Sequence, residues 1–164
     1  MRISLIILFS IITCGIKAQN YTRDCGLRFG ETFSVSYRQF FDEGEAMSAM
    51  VSVGRRGLSF TVLKEYAQPA FGHFADNITF VYGFGAHAGF RYSDQYIIFN
   101  RTYKMDDYRF MPQFGIDGYL ALEYAFHEFP FIMGVDFKPY FEYSNIEIFR
   151  INLSGFGLNI KYRF

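Results

Sequence analysis

The chain has 164 residues, which is enough for one domain but short for two. Its 16 Lys and Arg balance its 16 Asp and Glu, so composition argues against a nucleic-acid-binding surface or a polybasic membrane patch. Aromatic residues make up 21% of the chain, with 22 Phe, 13 Tyr and no Trp. A soluble core rarely needs so many, whereas a lipid-facing β-wall with aromatic girdles does.

The N-terminus has the pattern of a secretory signal peptide. Arg2 is followed by an apolar run over residues 3–12 that is too short to span a bilayer. We predict a signal peptide over 1–18, ending at Ala18, and a barrel domain over 19–164. Cleavage before Cys14, as in a lipoprotein, is the weaker alternative, because Thr13 fits the small-residue pattern poorly. Cys25 then stands alone, and we interpret it as a small apolar wall residue.

The rest of the chain is divided into segments of about ten residues in which apolar and polar residues alternate, as in a membrane β-barrel. Residues 78–91 show the pattern best, with aromatic residues and alanine on one face and glycine or polar residues on the other. The same alternation predicts strands over 46–53, 58–65, 115–126, 131–142 and 155–164. It is weaker over 25–37, where Glu31 falls on the apolar face and indicates a bulge at Gly30.

The connections give the predicted topology. Residues 54–57 and 127–130 are tight, whereas 67–77, 92–112 and 143–150 are longer. Because such barrels keep short turns in the periplasm and long loops outside, we place the tight turns and the C-terminus together. Seven clear strands are one short of an even number, so we infer an eighth at 96–103. The predicted fold is all-β, a closed antiparallel transmembrane β-barrel of eight strands.

The last strand carries the strongest local signal. Alternate positions are apolar or aromatic up to a terminal Phe, a pattern we interpret as the signal that the barrel-assembly machinery recognises. The residues concerned are Phe156, Leu158, Ile160, Tyr162 and Phe164.

Several motifs, in order along the chain, carry a family resemblance. They are YGFGAHAGF at 82–90, GIDGYLALEY at 115–124, Pro130 with VDFKP at 135–139, a Gly26-Leu27-Arg28 first strand and a final Tyr-x-Phe. In these the chain resembles the small outer-membrane β-barrel proteins common in Bacteroidetes-type bacteria, although Phe137 stands where that group often carries Trp. The resemblance implies the fold and the outer-membrane location, and it implies little chemistry.

Charged side chains collect on the predicted inner face. They are Arg28, Glu65, His87, Arg91, Asp117, Glu123, Asp136, Lys138, Lys161 and Arg163. Charges inside a narrow barrel must pair or be hydrated, so we expect a structural network of ion pairs. Asp117 and Glu123 are expected to meet Asp136 and Lys138 across a turn. A Glu65–Arg91 pair is a further option, and a polar pore or small-ligand site is the alternative use of these charges.

An enzyme that modifies lipid A is a third hypothesis, in which His87 serves as the base for a serine nucleophile and Glu65 as its orienting group. The candidate serines are Ser36, Ser52 and Ser59. His87 has inner-face parity, so we favour a network role and predict no enzyme. His73, His87 and His127 show no metal-ligand spacing, and no cofactor is predicted.

The sequence therefore predicts an integral protein of the bacterial outer membrane with a structural or surface-interaction role. Its expected partners are outer-membrane lipid and the assembly machinery, and no nucleic acid. A contact surface is predicted in the loop 92–112, which is rich in tyrosine: Tyr92, Tyr96, Tyr103 and Tyr108.

Overall fold

A computed structural model describes residues 22–54, 57–72, 77–98, 101–145 and 149–164, with backbone alone over 93–98 and 101–108. The predicted signal peptide, 1–18, lies outside these residues. Within them the chain forms strands β1 Arg23–Gly30, β2 Phe33–Asp42, β3 Glu45–Gly54, β4 Gly57–Pro69, β5 Ile78–Ile98, β6 Arg101–Ala125, β7 Phe131–Phe137, β8 Tyr140–Ser144, β9 Arg150–Asn152 and β10 Phe156–Arg163. None of the helical structure in the described ranges is long and apolar enough to cross a membrane.

The strands form one antiparallel sheet that closes on itself. Their order is β5-β4-β3-β2-β1-β10-β7-β6, and β5 pairs with β6 to complete the ring. β8 continues the line of β7 along β6, and β9 pairs with β8 and leads into β10. Over the described residues the barrel therefore has eight wall strands. The predicted closed antiparallel β-barrel is confirmed.

The alternation of the sequence becomes the two faces of this wall. Within β1, for example, Asp24, Gly26 and Arg28 are buried inside, while Leu27 and Phe29 are exposed outside. A small apolar cluster lies within the lumen, and it is formed by Leu63, Val81, Tyr119 and Ala121. Most other buried inward positions in the described strands are polar or charged.

The predicted strand over 25–37 is wrong, because it is two strands. β1 and β2 form a hairpin around Glu31 and Thr32, closed by the pair Phe29↔Phe33. The paired residues are four positions apart, so odd-numbered residues face outward on both strands and the alternation crosses the turn without a break. The predicted bulge at Gly30 is the start of this turn.

The separate strand predicted over 96–103 is also wrong. β5 continues to Ile98 and β6 begins at Arg101, and Ile98↔Arg101 pair with each other. This stretch is the end of one long hairpin. The missing eighth wall strand comes from the β1–β2 hairpin instead.

The two ends of the barrel differ from the prediction as well. We call the end that holds Arg23, the turn 127–130 and Phe164 the terminal end; there Arg163 N donates to Pro130 O at 2.8 Å. The opposite end, which we call the mouth, holds the turns after Gly30, Gly54 and Ser144. The tight connection 54–57 thus lies opposite the tight connection 127–130, and the longer connection 67–77 lies at the terminal end. Because consecutive strands run in opposite directions, consecutive connections fall at opposite ends of the barrel whatever their length.

Candidate functional site

The ten predicted lumen residues all lie on the inward face of the wall. Those that are buried are Arg28, Glu65, His87, Asp117, Glu123, Asp136 and Lys161. Those that are partly buried are Arg91, Lys138 and Arg163. Eight of the ten form three groups along the barrel axis, whereas Arg163 donates to Phe126 O at 3.2 Å and Arg91 lines a cavity at one end of the barrel.

The first group surrounds Arg38 in the terminal half of the lumen. The Arg38 guanidinium, 2% exposed, lies 2.7 Å from Asp24 Oδ2, 2.8 Å from Glu123 Oε2 and 3.2 Å from Glu65 Oε2. Lys161 Nζ donates to Glu123 Oε1 at 2.5 Å, and Ser48 donates to Glu65. Two cations thus lie among three buried carboxylates, and each carboxylate contacts at least one of them, which is the kind of pairing that buried charge requires.

The second group lies in the middle of the lumen. Arg28 Nε donates to Asp136 Oδ1 at 2.7 Å and Arg28 Nη2 donates to Gly155 O at 2.8 Å. Asn159 Nδ2 donates to the second oxygen of Asp136 at 3.1 Å. Gly157 makes room for this arrangement, because a Cβ there would lie 2.8 Å from Arg28 Cζ.

The third group lies towards the mouth and is centred on His87. Its Nδ1 is 2.7 Å from Asp117 Oδ2, and its Nε2 is 3.5 Å from Glu142 Oε2. Lys138 Nζ is 2.7 Å from Asp117 Oδ1. Gln113 Nε2 donates to Glu142 Oε1 at 2.7 Å. Gly115 leaves space for the imidazole, since a Cβ there would overlap the ring.

Some of the predicted contacts form and others do not. Asp117 meets Lys138 across the wall as expected. Glu123, however, binds Arg38 and Lys161 instead of the next strand's Asp136 and Lys138. The predicted Glu65–Arg91 ion pair is wrong. In the β4–β5 register, Glu65 lies opposite Gly83 and Arg91 lies opposite Gly57. The two charged residues are therefore eight positions apart along the strands, or about 26 Å.

The constellation considered for lipid A chemistry is not assembled as predicted. Glu65 contacts Arg38 and Ser48, so it does not orient His87. Ser52 accepts a hydrogen bond from Ser34, and Ser36 lies against Gly26 O. Both His87 nitrogens face carboxylates, whereas a base must hold the hydroxyl of its nucleophile.

Sequence reasoning missed Arg38, Asp24 and Glu142, which hold the first and third groups together. Arg38 follows the predicted strand over 25–37 by one position, and Asp24 precedes it by one. Extending the alternation by those positions would have found both. Glu142 had the correct parity but was not selected.

The lumen is open at one end and filled at the other. At the mouth a cavity of about 880 Å³ is bounded by residues of several strands, including Arg28, Arg91, Lys138 and Arg150. A second cavity, between Arg28 and Lys161 in the terminal half, has a volume of about 10 Å³, room for about one water molecule at most.

The outer wall is apolar. The five residues of the predicted assembly signal all face outward, and each is at least 40% exposed: Phe156, Leu158, Ile160, Tyr162 and Phe164. Phe164 N donates to Arg23 O at 2.9 Å and so joins the chain end to β1. Cys25 is a free thiol on the same outer surface.

No metal or cofactor site was predicted from the sequence. Across the described residues, no group of three or more His, Cys, Asp or Glu side chains is arranged to hold a metal ion. The carboxylates nearest His87 are already engaged by Lys138 and Gln113.

Comparison with known proteins gives a likeness in structure but none in sequence. No protein-family model matches the chain, and no curated protein matches it either. Among solved structures, the chain is similar to the N-terminal β-barrel domain of Pseudomonas aeruginosa OprF, with a TM-score of 0.50 and 12% identity. The match covers 87% of this chain and 95% of that one. At this identity the likeness concerns the fold alone.

Proposed function

We propose that the chain is an integral β-barrel of a bacterial outer membrane, of the small Bacteroidetes-type group, with a structural or surface-interaction role. The observation that carries the proposal is the inverted polarity of the wall. Large apolar side chains such as Phe84, Ile116 and Leu158 are exposed around the outside, while buried charges fill the inside. Soluble monomers rarely expose apolar patches of more than a few hundred Å², whereas a bilayer requires such a surface.

The lumen supports a structural role over a conducting one. The three groups of ion pairs occupy the barrel interior, and the cavity among the charges of the terminal half measures only about 10 Å³. A hydrated ion would have to displace buried, hydrogen-bonded charges such as Arg38 and Glu123 to pass. We therefore favour a closed wall component over the narrow pore.

The long β5–β6 hairpin supports a surface-interaction role. Its neighbours end at the pairs Gly57↔Arg91 and Gln113↔Ser144, but the hairpin itself continues to Ile98↔Arg101. The seven residues beyond Arg91 extend it by about 23 Å past the rim. Tyr92 at its base is exposed and packs on Phe110, while the side chains of Tyr96, Tyr103 and Tyr108 lie outside the described residues.

Membrane fractionation tests the proposal. The full chain, expressed with its own leader in a Gram-negative host, is expected in the outer-membrane fraction and resistant to extraction with urea or carbonate. Unboiled samples should migrate differently from boiled ones on SDS gels, because a closed barrel resists unfolding by detergent. Recovery in the soluble periplasmic fraction would contradict the proposal. A strain in which the assembly machinery is depleted should accumulate less folded barrel, as expected if the last strand is its signal.

Two further assays separate the competing functions. Purified barrel in planar bilayers is expected to give no stable single-channel steps, and regular steps would favour a pore. Lipid A mass profiles should be the same with and without the protein, and also with a His87→Ala variant. A new lipid A species that depends on His87 would establish an enzyme instead.

A further inference from the structure

The mouth cavity has the size and lining of a ligand site. Its volume of about 880 Å³ falls in the range of small-molecule pockets, about 300–1,000 Å³. Four cationic side chains from different parts of the wall line it: Arg28, Arg91, Lys138 and Arg150. The carboxylates that line it are Glu31 and Glu142.

The counter-charges of two of these cations lie behind them rather than in the cavity. Arg28 is paired with Asp136 and Lys138 with Asp117, each at 2.7 Å, and both carboxylates are fully buried. An anion that enters from the mouth would reach the cations before these carboxylates. Because Coulomb attraction falls with distance, the nearer cation dominates over the carboxylate behind it.

The carboxylates that do line the cavity are already engaged. Glu31 accepts a hydrogen bond from Asn152 Nδ2 at 2.6 Å. Glu142 accepts one from Gln113 Nε2 at 2.7 Å and lies 4.0 Å from Arg150 Nη1. The surface that faces the cavity is therefore better suited to an anion than to a cation.

The cavity also reaches the outer, apolar surface of the barrel. Leu58, Phe90 and Tyr92 line it, although all three lie on the outward-facing positions of β4 and β5. This is a consequence of the low rim at Gly57, where β4 begins, since β5 runs on to Ile98. Phe90 and Tyr92 pack on Phe110, with ring centroids 5.6 and 5.5 Å apart, and form an aromatic surface beside the opening.

We propose that the mouth cavity binds a single-chain anionic amphiphile. Its phosphate or carboxylate head lies among Arg91, Lys138 and Arg150, and its hydrocarbon chain leaves over the low rim along Phe90 and Tyr92. The cationic lining favours an anionic head group, and the opening of the lumen onto the apolar outer wall favours a hydrocarbon tail. This binding role goes beyond the structural role proposed above and requires only that the barrel be folded.

The test compares three probes on the purified, folded barrel by native mass spectrometry from a nonionic detergent. The probes are dodecyl phosphate, inorganic phosphate and dodecanol. We expect saturable one-to-one binding of dodecyl phosphate, with both other probes weaker by about tenfold or more, the effect of a lost charged hydrogen bond or an unburied chain. Equal binding of inorganic phosphate would overturn the chain assignment, and equal binding of dodecanol would overturn the head assignment. An absence of saturable binding would overturn the whole proposal.

Variants locate the site. The double variant R91Q/R150Q should weaken dodecyl phosphate binding by about tenfold or more, whereas K64Q, a cation on the outer wall, should not. If the double variant fails the unboiled-gel check for folding, R150Q alone serves, because Arg150 is loosely held at 4.0 Å from Glu142 and is 24% exposed. Binding unchanged in the folded variant would refute the site. Since the gel reports folding separately, failure to bind is distinguishable from failure of the barrel proposal.

Discussion

Replacement of Arg38 by methionine tests whether the buried charges of the terminal half stabilise the barrel. Arg38 is a single cation that contacts Asp24, Glu65 and Glu123, at 2.7 to 3.2 Å. In R38M, Lys161 still pairs with Glu123, but its single charge cannot compensate three carboxylates. Removing one partner of a buried pair costs about 3–5 kcal/mol, because the remaining charge is left uncompensated. This corresponds to roughly a 150- to 4,000-fold fall in the folding equilibrium constant.

The assay is reversible urea unfolding in thin phosphatidylcholine vesicles, followed by far-UV circular dichroism and by unboiled gel mobility. A matched control is K64M, which removes a cation from the pair Lys64–Glu45, where the side chains are 45% and 49% exposed. Exposed pairs contribute about 0.2–1 kcal/mol, so K64M should change the free energy of unfolding by less than about 1 kcal/mol.

A second substitution tests whether the unpaired carboxylates cause the loss of stability. Asp24 is held by Arg38, at 2.7 Å. Adding D24N to R38M removes one of the orphaned carboxylates, so the double variant should be more stable than R38M alone. Two results would show that Arg38 does not compensate the buried carboxylates. One is that R38M lowers the free energy of unfolding no more than K64M does, and the other is that D24N lowers it as much in R38M as in the unchanged chain.

Three other predictions follow from the same wall. G157A should destabilise the barrel by about 1–3 kcal/mol, because the added Cβ would lie 2.8 Å from Arg28 Cζ. G54A is the control, since its Cβ would meet its nearest atom at 3.4 Å. Equal urea midpoints for the two variants would refute this prediction. A spin label on the outward Cys25 should be relaxed more by oxygen, which concentrates in lipid, than by a water-soluble nickel chelate, and the reverse would place that face in water. Deletion of Phe164, whose N–H bonds to Arg23 O at 2.9 Å, should lower the amount of folded protein in the outer membrane on unboiled gels, and an unchanged amount would separate the last residue from assembly.

The sequence allowed the faces of the wall to be predicted, because a strand has a side-chain period of two and the two faces of this barrel differ in polarity. It did not allow every turn to be found. The pair Gly54↔Gly57 spans three positions, so the outward parity changes from odd to even and marks the turn. The pair Phe29↔Phe33 spans four, so the parity is kept and two strands look like one.

The ion-pair partners inside the lumen could not be predicted from the sequence, for a different reason. Arg38 and Glu123 are 85 positions apart, and Lys161 and Glu123 are 38 apart. Parity states that each points inward, but it does not state its height along the barrel axis. This height depends on the register of every strand pair around the closed barrel. It is the reason that Glu65 contacts Arg38 and does not reach Arg91.

The division of the lumen into a filled half and an open half has the same origin. Filling depends on which inward side chains share a level. Large ones surround the small void of the terminal half: Arg38, Met50, Tyr119 and Lys161. Small ones line much of the mouth: Gly30, Ser52, Gly54, Gly57, Ser59 and Gly155. Each strand taken alone shows the same alternation of inward and outward residues. One repeated pattern can therefore give a lumen packed with side chains at one level and a ligand-sized cavity at another. The register that brings the small residues of β1, β3 and β4 together at the mouth is what leaves a cavity beside Arg28, Lys138 and Arg150.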